Sequence, residues 1–279
     1  MKELDLQDKY LVNFFTERPD GLRYKEVKAN TVSAQFFVLE DLKHFISNTT
    51  LNKDNYRKLL RKFSSEKELL EKYKKGIMQA IFSQKIRFND ENRESFPDWK
   101  EKKLGDIGEI RTGKTPSTLN KSLWDGDILF VTPTDMVEGV KYQVTAARTV
   151  NASNGRVLPA KTIMYTCIAS IGKMALSTKP TITNQQINSL ILTGEFDKEF
   201  VYYTLLWMTP KIQATQANNT LPIINKTDFS KFKIPTPSIN EQQKIVDFLS
   251  AIDEKIELTE RKLEQAKKFK KALLQQMFV

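Results

Sequence analysis

The chain has 279 residues, 40% of them hydrophobic, a formal net charge of +10, one cysteine and one histidine. That length holds one large domain or two small ones, and one cysteine excludes an internal disulfide or a multi-cysteine zinc site. No apolar run approaches the ~18 residues of a membrane helix and MKELDLQDKY is no signal peptide, so a cytoplasmic protein with no membrane segment is expected.

Residues 1–51 read as a small α-rich module. DLQDKYLVNFF places Leu6, Tyr10, Leu11 and Phe14 on one helical face, Pro19-Asp20-Gly21 signals a turn, and FFVLEDLKHFI (36–46) is a second amphipathic segment. The only histidine, His44, lies on that segment, which removes triads and histidine-based acid–base pairs from consideration.

Residues 52–88 read as a long helical segment. From Asn52 to Gln84 there is no proline, and Leu59, Leu60, Phe63, Leu69, Leu70, Tyr73, Ile77 and Ile81 recur at helical spacing. Ser64-Ser65 is a point of interruption, and Ser65 with Glu68 has the capping-box spacing of a new start. An unbroken helix here would be about 50 Å long.

The segment 96–236 changes character. Short apolar runs (DILFV, KTIMYTCIASI, SLILTG) read as strands, with turns at Asp125-Gly126 and Asn154-Gly155 and one helix over EFVYYTLLWM (199–208). The expected class is α/β (α+β). Cys167, inside an apolar run, reads as a core residue rather than a nucleophile.

Residues 237–279 complete the chain as a linker and a distal helix. The prolines of IPTPSINEQQ (234–243) end the preceding domain, and Ser238 or Asn240 can cap the distal helix. Ile245, Leu249, Ile252, Ile256, Thr259, Leu263, Ala266, Lys270, Leu273 and Met277 then alternate steps of four and three, a heptad seam. A lone helix with such a seam is marginal in water, so it needs a partner. The segment KFKKALLQQMF (268–278) repeats KYKKGIMQAIF (72–82), with identities at Lys72/Lys268, Lys74/Lys270, Lys75/Lys271, Gln79/Gln275 and Phe82/Phe278. The sister helix is the obvious partner, with Leu70, Ile77, Ile81, Ile245, Leu249, Ile252, Ile256, Leu263, Leu273 and Met277 as pairing residues. The layout is a globular domain bracketed by two long helices that pair as a coiled coil.

Charge points to a polyanion. No acidic residue occurs between Glu138 and Glu195, a stretch carrying Lys141, Arg148, Arg156, Lys161, Lys173 and Lys179. Such a surface does not repel phosphate. Three motifs fail on context. Gly108 to Thr115 (GEIRTGKT) fits the phosphate-loop template, but no buried strand precedes it and TPSTLNKS is no helix; Asp135 likewise does not end a hydrophobic strand. Pro19-Asp20 with Glu26 and Lys28, and Pro97-Asp98 with Glu101 and Lys103, are too closely spaced for a metal-dependent nuclease core. No Asn-Pro-Pro-aromatic motif or glycine-rich cofactor loop of an amino-methyltransferase is present. The chain reads as a recogniser or adaptor, without catalytic residue, metal or cofactor.

Four passages carry a family resemblance: KELLEKYKKGIMQAIFSQKIRF (67–88), FPDWKEKKLGDIGEIRTGKTPS (96–117), GKMALSTKPTITNQQINSLI (172–191) and the run from Ile234 to Phe278. Over 67–279 the chain resembles the specificity (DNA-recognition) subunit of type I restriction–modification systems. The resemblance implies a non-catalytic subunit that binds double-stranded DNA through 96–236 as a target-recognition domain. The two helices of such subunits act as a ruler and hold methyltransferase (modification) subunits, which restriction (motor/nuclease) subunits join. The expected DNA-facing residues are Arg111, Lys114, Thr115, Arg148, Arg156, Lys173 and Lys179. Asn184, Gln185 and Gln186 are either adenine readers or members of a turn network. The chain departs from the pattern in having one recognition domain, and residues 1–51 resemble the amino-terminal part of some restriction subunits. Two copies pairing as a homodimer, helix pairing within one chain, and a protein-interaction adaptor or regulator without independent DNA binding all remain open.

Overall fold

The computed structural model describes residues 53–151, 156–216 and 222–277, with 53–55 and 269–277 described as backbone only. The expectations for residues 1–51 and the Asn154-Gly155 turn, and the pairing side chains Leu273 and Met277, lie outside this description. The chain divides into two compact units, residues 1–70 with 255–279, and residues 71–254. Helix α1 spans Lys53–Phe82 and helix α5 spans Ile239–Met277. Ser64-Ser65 does not interrupt α1: both residues are solvent-exposed, and serine costs only a few tenths of a kcal/mol in a helix interior. Helix α1 ends at Phe82, short of the expected boundary at residue 88.

In the first unit the two helix segments run antiparallel. The Tyr56 hydroxyl donates to the Ala266 carbonyl at 3.2 Å, and Lys67 pairs with Glu260 at 2.6 Å, so position rises along one segment as it falls along the other. Leu70, Thr259 and Ala266 are buried and Ile256 and Leu263 half-buried, at the expected heptad spacing. Burial pushes the Lys255 ammonium down to about 8, partly offset by Glu66.

The second unit holds three sheets. Strands β1 (Lys100–Lys103), β2 (Gly108–Thr112), β3 (Trp124–Val131), β4 (Tyr142–Gln143), β5 (Arg148–Val150), β6 (Ile163–Thr166), β7 (Met174–Ser177), β8 (Thr181–Thr183), β9 (Ile187–Leu192) and β10 (Lys233–Thr236) alternate with helices α2 (Leu104–Ile107), α3 (Lys198–Gln216) and α4 (Lys226–Ser230). The largest sheet has the order β2-β9-β6-β7-β4, a second the order β5-β3-β8, and β1 pairs with β10. Every residue of β6, β7 and β8 is buried, so β6 and β7 read as nearly continuous apolar runs, while the two threonines of β8 are buried beside Ile182. Leu129, Val131, Met136, Met164, Ala175 and Ile187 form one core cluster; Trp124, Phe130, Val150 and Ile182 form another. Asp125-Gly126 is not a hairpin turn. It lies within β3, where Asp125 has φ 62° and the register to β5 shifts between Trp124 and Ile128, a bulge.

Strand β1 pairs antiparallel with β10, Lys100 opposite Thr236 and Lys103 opposite Lys233, which brings together the chain entering and leaving the sheets. Helix α5 begins beyond β10 with Ser238 as its cap: the Ser238 hydroxyl accepts from Glu241 N–H at 3.4 Å and its carbonyl from Gln242 N–H at 2.9 Å. Glu241, in the first turn, has no solvent exposure. Its carboxylate accepts from Arg87 Nε (3.2 Å) and Nη2 (2.9 Å) and from Trp99 Nε1 (2.9 Å). Arg87 Nη2 also donates to the Phe96 and Pro97 carbonyls, at 3.1 and 2.7 Å. The hydrogen bond to Glu241 raises the Arg87 pKa further above its ordinary value.

A second polar cluster joins α1, α3, α5 and the loop before β4. Lys74 pairs with Asp253 at 2.5 Å, Tyr203 donates to Asp253 at 2.5 Å, and Lys141 pairs with Glu199 at 2.6 Å. Tyr142 also donates to Glu199, and Ser250 donates to it at 3.1 Å. Lys141, although it lies in the acid-free segment, is thus engaged within this cluster. Beside the cluster, the Phe82 ring stacks on Trp207 at 5.3 Å and meets Phe200 at 5.9 Å, and Trp207 Nε1 donates to Gln79 Oε1 at 2.9 Å. Among the expected pairing residues of this unit, Ile81, Ile245, Leu249 and Ile252 are fully buried and Ile77 is half-buried.

Two stability measurements probe these clusters. Replacing Arg87 by Met leaves the Glu241 carboxylate buried without its cation, and should lower unfolding free energy by about 3 kcal/mol in urea titrations. An unchanged midpoint would mean that Trp99 and water satisfy Glu241. Burial opposes ionisation of Glu199, but hydrogen bonds from Lys141, Tyr142 and Ser250 outweigh it and hold the carboxyl below its ordinary 4.5. Its stabilising contribution is thus complete above pH 4.5 and disappears as pH falls through the lower folded value. Glu199→Gln should flatten the acid limb of a thermal-melt series, and an identical limb would refute this assignment.

Candidate nucleic-acid interface

A cleft of about 490 Å³ opens beside the end of β2. Arg111 on β2 and Lys114 on the loop after it contribute two cations, Arg156 before Leu158 a third, and Lys226 at the start of α4 a fourth. Leu158 and Ile182, both buried, supply apolar lining, and Glu109 is the only carboxylate among the lining residues. Local pairing assembles this site. Leu158 forms an isolated bridge with Thr181, which brings Arg156 beside β8. Asn225 caps α4 by accepting from Asp228 N–H at 2.9 Å, which fixes the adjacent Lys226.

The loop after β2 is not a nucleotide cradle. Gly113 N–H donates to the Ile187 carbonyl at 3.1 Å and Lys114 N–H to the Thr183 carbonyl at 2.9 Å, so neither amide is available to a phosphate. Strand β2 lies at a sheet edge, and the residues after it form only a single 3₁₀ turn, Lys121–Leu123. A Cβ on Gly113 would fall 2.2 Å from the Asn184 carbonyl oxygen, so glycine permits this close approach. The cationic side chains, rather than the backbone amides, give the cleft its positive charge.

Arg111, Lys114 and Arg156 come together, and Thr115 adjoins them. The Thr115 hydroxyl donates to Gln185 Oε1 at 2.8 Å, while Gln185 remains exposed. Asn184 is buried, donates to Gln186 Oε1 at 2.9 Å and accepts from Gln186 N–H at 3.2 Å, a turn network that ties the two residues together. Arg148 lies over the Trp124 ring at 3.4 Å. Neither Arg148, Lys173 nor Lys179 lines the cleft. Lys226 and Glu109 carry no signal in the sequence alone. Lys226 is separated from Arg111 by most of the domain, and no local pattern links them.

Outside the cleft, Asp135 and Glu101 are engaged in local contacts and the single cysteine is buried. Burial opposes ionisation of Asp135, but hydrogen bonds from Thr132 and Ala147 outweigh it and hold the carboxyl below its ordinary range; its oxygens are engaged in a turn. Asp98 is solvated 3.7 Å from Arg87, and Glu101 pairs with Lys233 at 3.2 Å. Burial pushes the Cys167 thiol up to about 12, far from a reactive thiolate. Among the described residues no group of three or more His, Cys, Asp or Glu could hold a metal ion, and no helix is long and apolar enough to cross a membrane.

The family model of the type I restriction modification DNA specificity domain matches residues 97–268. The chain belongs to this family. Among curated members, it is 31% identical over 212 residues to the type I restriction enzyme MjaIX specificity subunit of Methanocaldococcus jannaschii, covering 71% of this chain and 49% of that protein. It is 37% identical over 147 residues to the HindI specificity subunit of Haemophilus influenzae, covering 50% of this chain and 32% of that protein. Among solved structures, the HsdS subunit from Thermoanaerobacter tengcongensis superimposes with a TM-score of 0.57 at 18% identity, over 87% of this chain and 57% of that one. The type I S subunit from M. genitalium gives 0.57 at 16% identity, over 96% of this chain and 68% of that one. These two likenesses establish a shared fold. The chain spans about half the length, or less, of the first curated specificity subunits it matches.

Proposed function

We propose that residues 96–236 are a target-recognition domain that binds double-stranded DNA, within a non-catalytic specificity subunit of a cytoplasmic type I restriction–modification complex. The observation carrying this reading is the convergence of Arg111, Lys114, Arg156 and Lys226 on one cleft of a domain that matches the specificity family. These cations would hold backbone phosphates, while Thr115 and Gln185 reach base edges; Arg148, Lys173 and Lys179 would be peripheral phosphate contacts. Segments 52–88 and 237–279 would pair as an antiparallel coiled coil. That reading is supported by the Tyr56–Ala266 and Lys67–Glu260 contacts of one unit and the Lys74–Asp253 pair of the other. The coiled coil would also dock the methyltransferase and restriction subunits.

Binding of the full chain to a labelled duplex should weaken steeply with salt. Alanine at Lys114, Arg156 or Lys226 should each reduce the log–log salt slope by about one. Salt-insensitive binding would defeat the phosphate assignment. A chain that binds no duplex yet captures a type I modification subunit would favour the adaptor reading instead.

The repeated helix bears on assembly. Gln79 and Phe82, which grip Trp207, are among the residues repeated in the distal segment as Gln275 and Phe278. A second copy of the chain could offer its own Trp207 to that repeat, giving a symmetric dimer and two recognition domains. Light scattering should then report twice the chain mass, and a strict monomer would leave only pairing within one chain.

A further inference from the structure

Glu109 is misplaced in a cleft meant for an anion. It lies on β2 two residues before Arg111, and the two side chains point to the same face of the strand. Its carboxylate takes two hydrogen bonds from Arg111, Nε to Oε1 at 2.7 Å and Nη2 to Oε2 at 2.8 Å. Lys226, at the start of α4, lines the same cleft. Two planar oxygens held by a guanidinium fork and a nearby ammonium have the arrangement that a phosphate would adopt there. Both partners are substantially exposed, Arg111 at 41% and Glu109 at 54%, and exposed pairs of this kind are weak. A phosphate brought in by a well-seated duplex can therefore displace the carboxylate, whereas a loosely approaching polyanion meets its negative charge.

We propose that Glu109 is a tethered competitor for a DNA backbone phosphate in this cleft, and that it sets how strongly the chain discriminates a well-seated duplex from any other. This assignment rests on the DNA-binding reading above. It makes Glu109 a positioning residue for Arg111 and a penalty on non-specific association, since a like charge facing phosphate disfavours the wrong complex. Its removal should then strengthen binding, contrary to the usual effect of altering an interface residue.

The test is fluorescence anisotropy of the full chain with a labelled duplex of random sequence, across a salt series. Glu109→Gln keeps the side-chain size and frees Arg111. It should tighten random-duplex binding roughly fivefold and steepen the salt slope by about one. Glu101→Gln is the control: it removes the same charge from another exposed ion pair of the same unit, with Lys233, outside the cleft. Adding Arg111→Ala to Glu109→Gln should abolish the gain. If Glu109→Gln tightens binding no more than Glu101→Gln does, while Lys226→Ala still weakens it, the competitor role is overturned and the DNA-binding reading stands. A wild-type chain that binds no duplex overturns both.

Discussion

A carboxylate with no access to water must be matched by the protein, and the second unit is organised around one such group. Glu241 sits where α5 begins, and its oxygens are claimed by Arg87 and Trp99. Arg87 in turn reaches the carbonyls of Phe96 and Pro97. One ion pair thus fixes three stretches of chain relative to each other: the exit from α1, the approach to β1 and the first turn of α5. Desolvating such a pair is costly, and its geometry tolerates little slack. The position of Glu241 near a helix N-terminus lowers part of that cost.

The Lys74, Asp253, Tyr203, Lys141 and Glu199 cluster repeats this logic one helical layer further along. It places charges at a seam that an all-apolar interface would leave free to slide. Ile245, Leu249 and Ile252 provide the non-directional burial, and the ionic contacts select one register. The aromatic contact of Phe82 with Trp207 and Phe200 carries that register to α3 and from there to the sheets.

The elements were largely legible from periodicity. The heptad residues of α5, the run IMYT and the helix over 199–208 all announce themselves locally. Sequence was silent where distant segments meet. Lys141 counted as part of an acid-free basic stretch, yet its partners Glu199 and Asp253 come from other parts of the chain. Asp125-Gly126 carries a turn signature, but tertiary pairing of β3 with β5 absorbs it as a bulge. The cleft was half legible: Arg111, Lys114 and Arg156 stood out by charge, whereas Lys226 and Glu109 acquire meaning only when α4 and the β2 edge are brought together. In the GKT motif the Gly113 and Lys114 amides already serve β9 and β8, a pairing that the local motif does not announce.

The pairing of β1 with β10 has a consequence for how such a chain can change over time. Chain entry and exit at the sheets are neighbours across a single ladder, Lys100 opposite Thr236. A segment bounded in this way is a cassette: its interior can be exchanged for another of different length without moving the ends to which it is spliced. The conditions on a replacement are local. It must offer a β1–β10 ladder and an α3 face able to receive Phe82. Variation inside the cassette is free to alter the lining of the cleft, while the Arg87–Glu241 and Lys74–Asp253 pairs lie outside it.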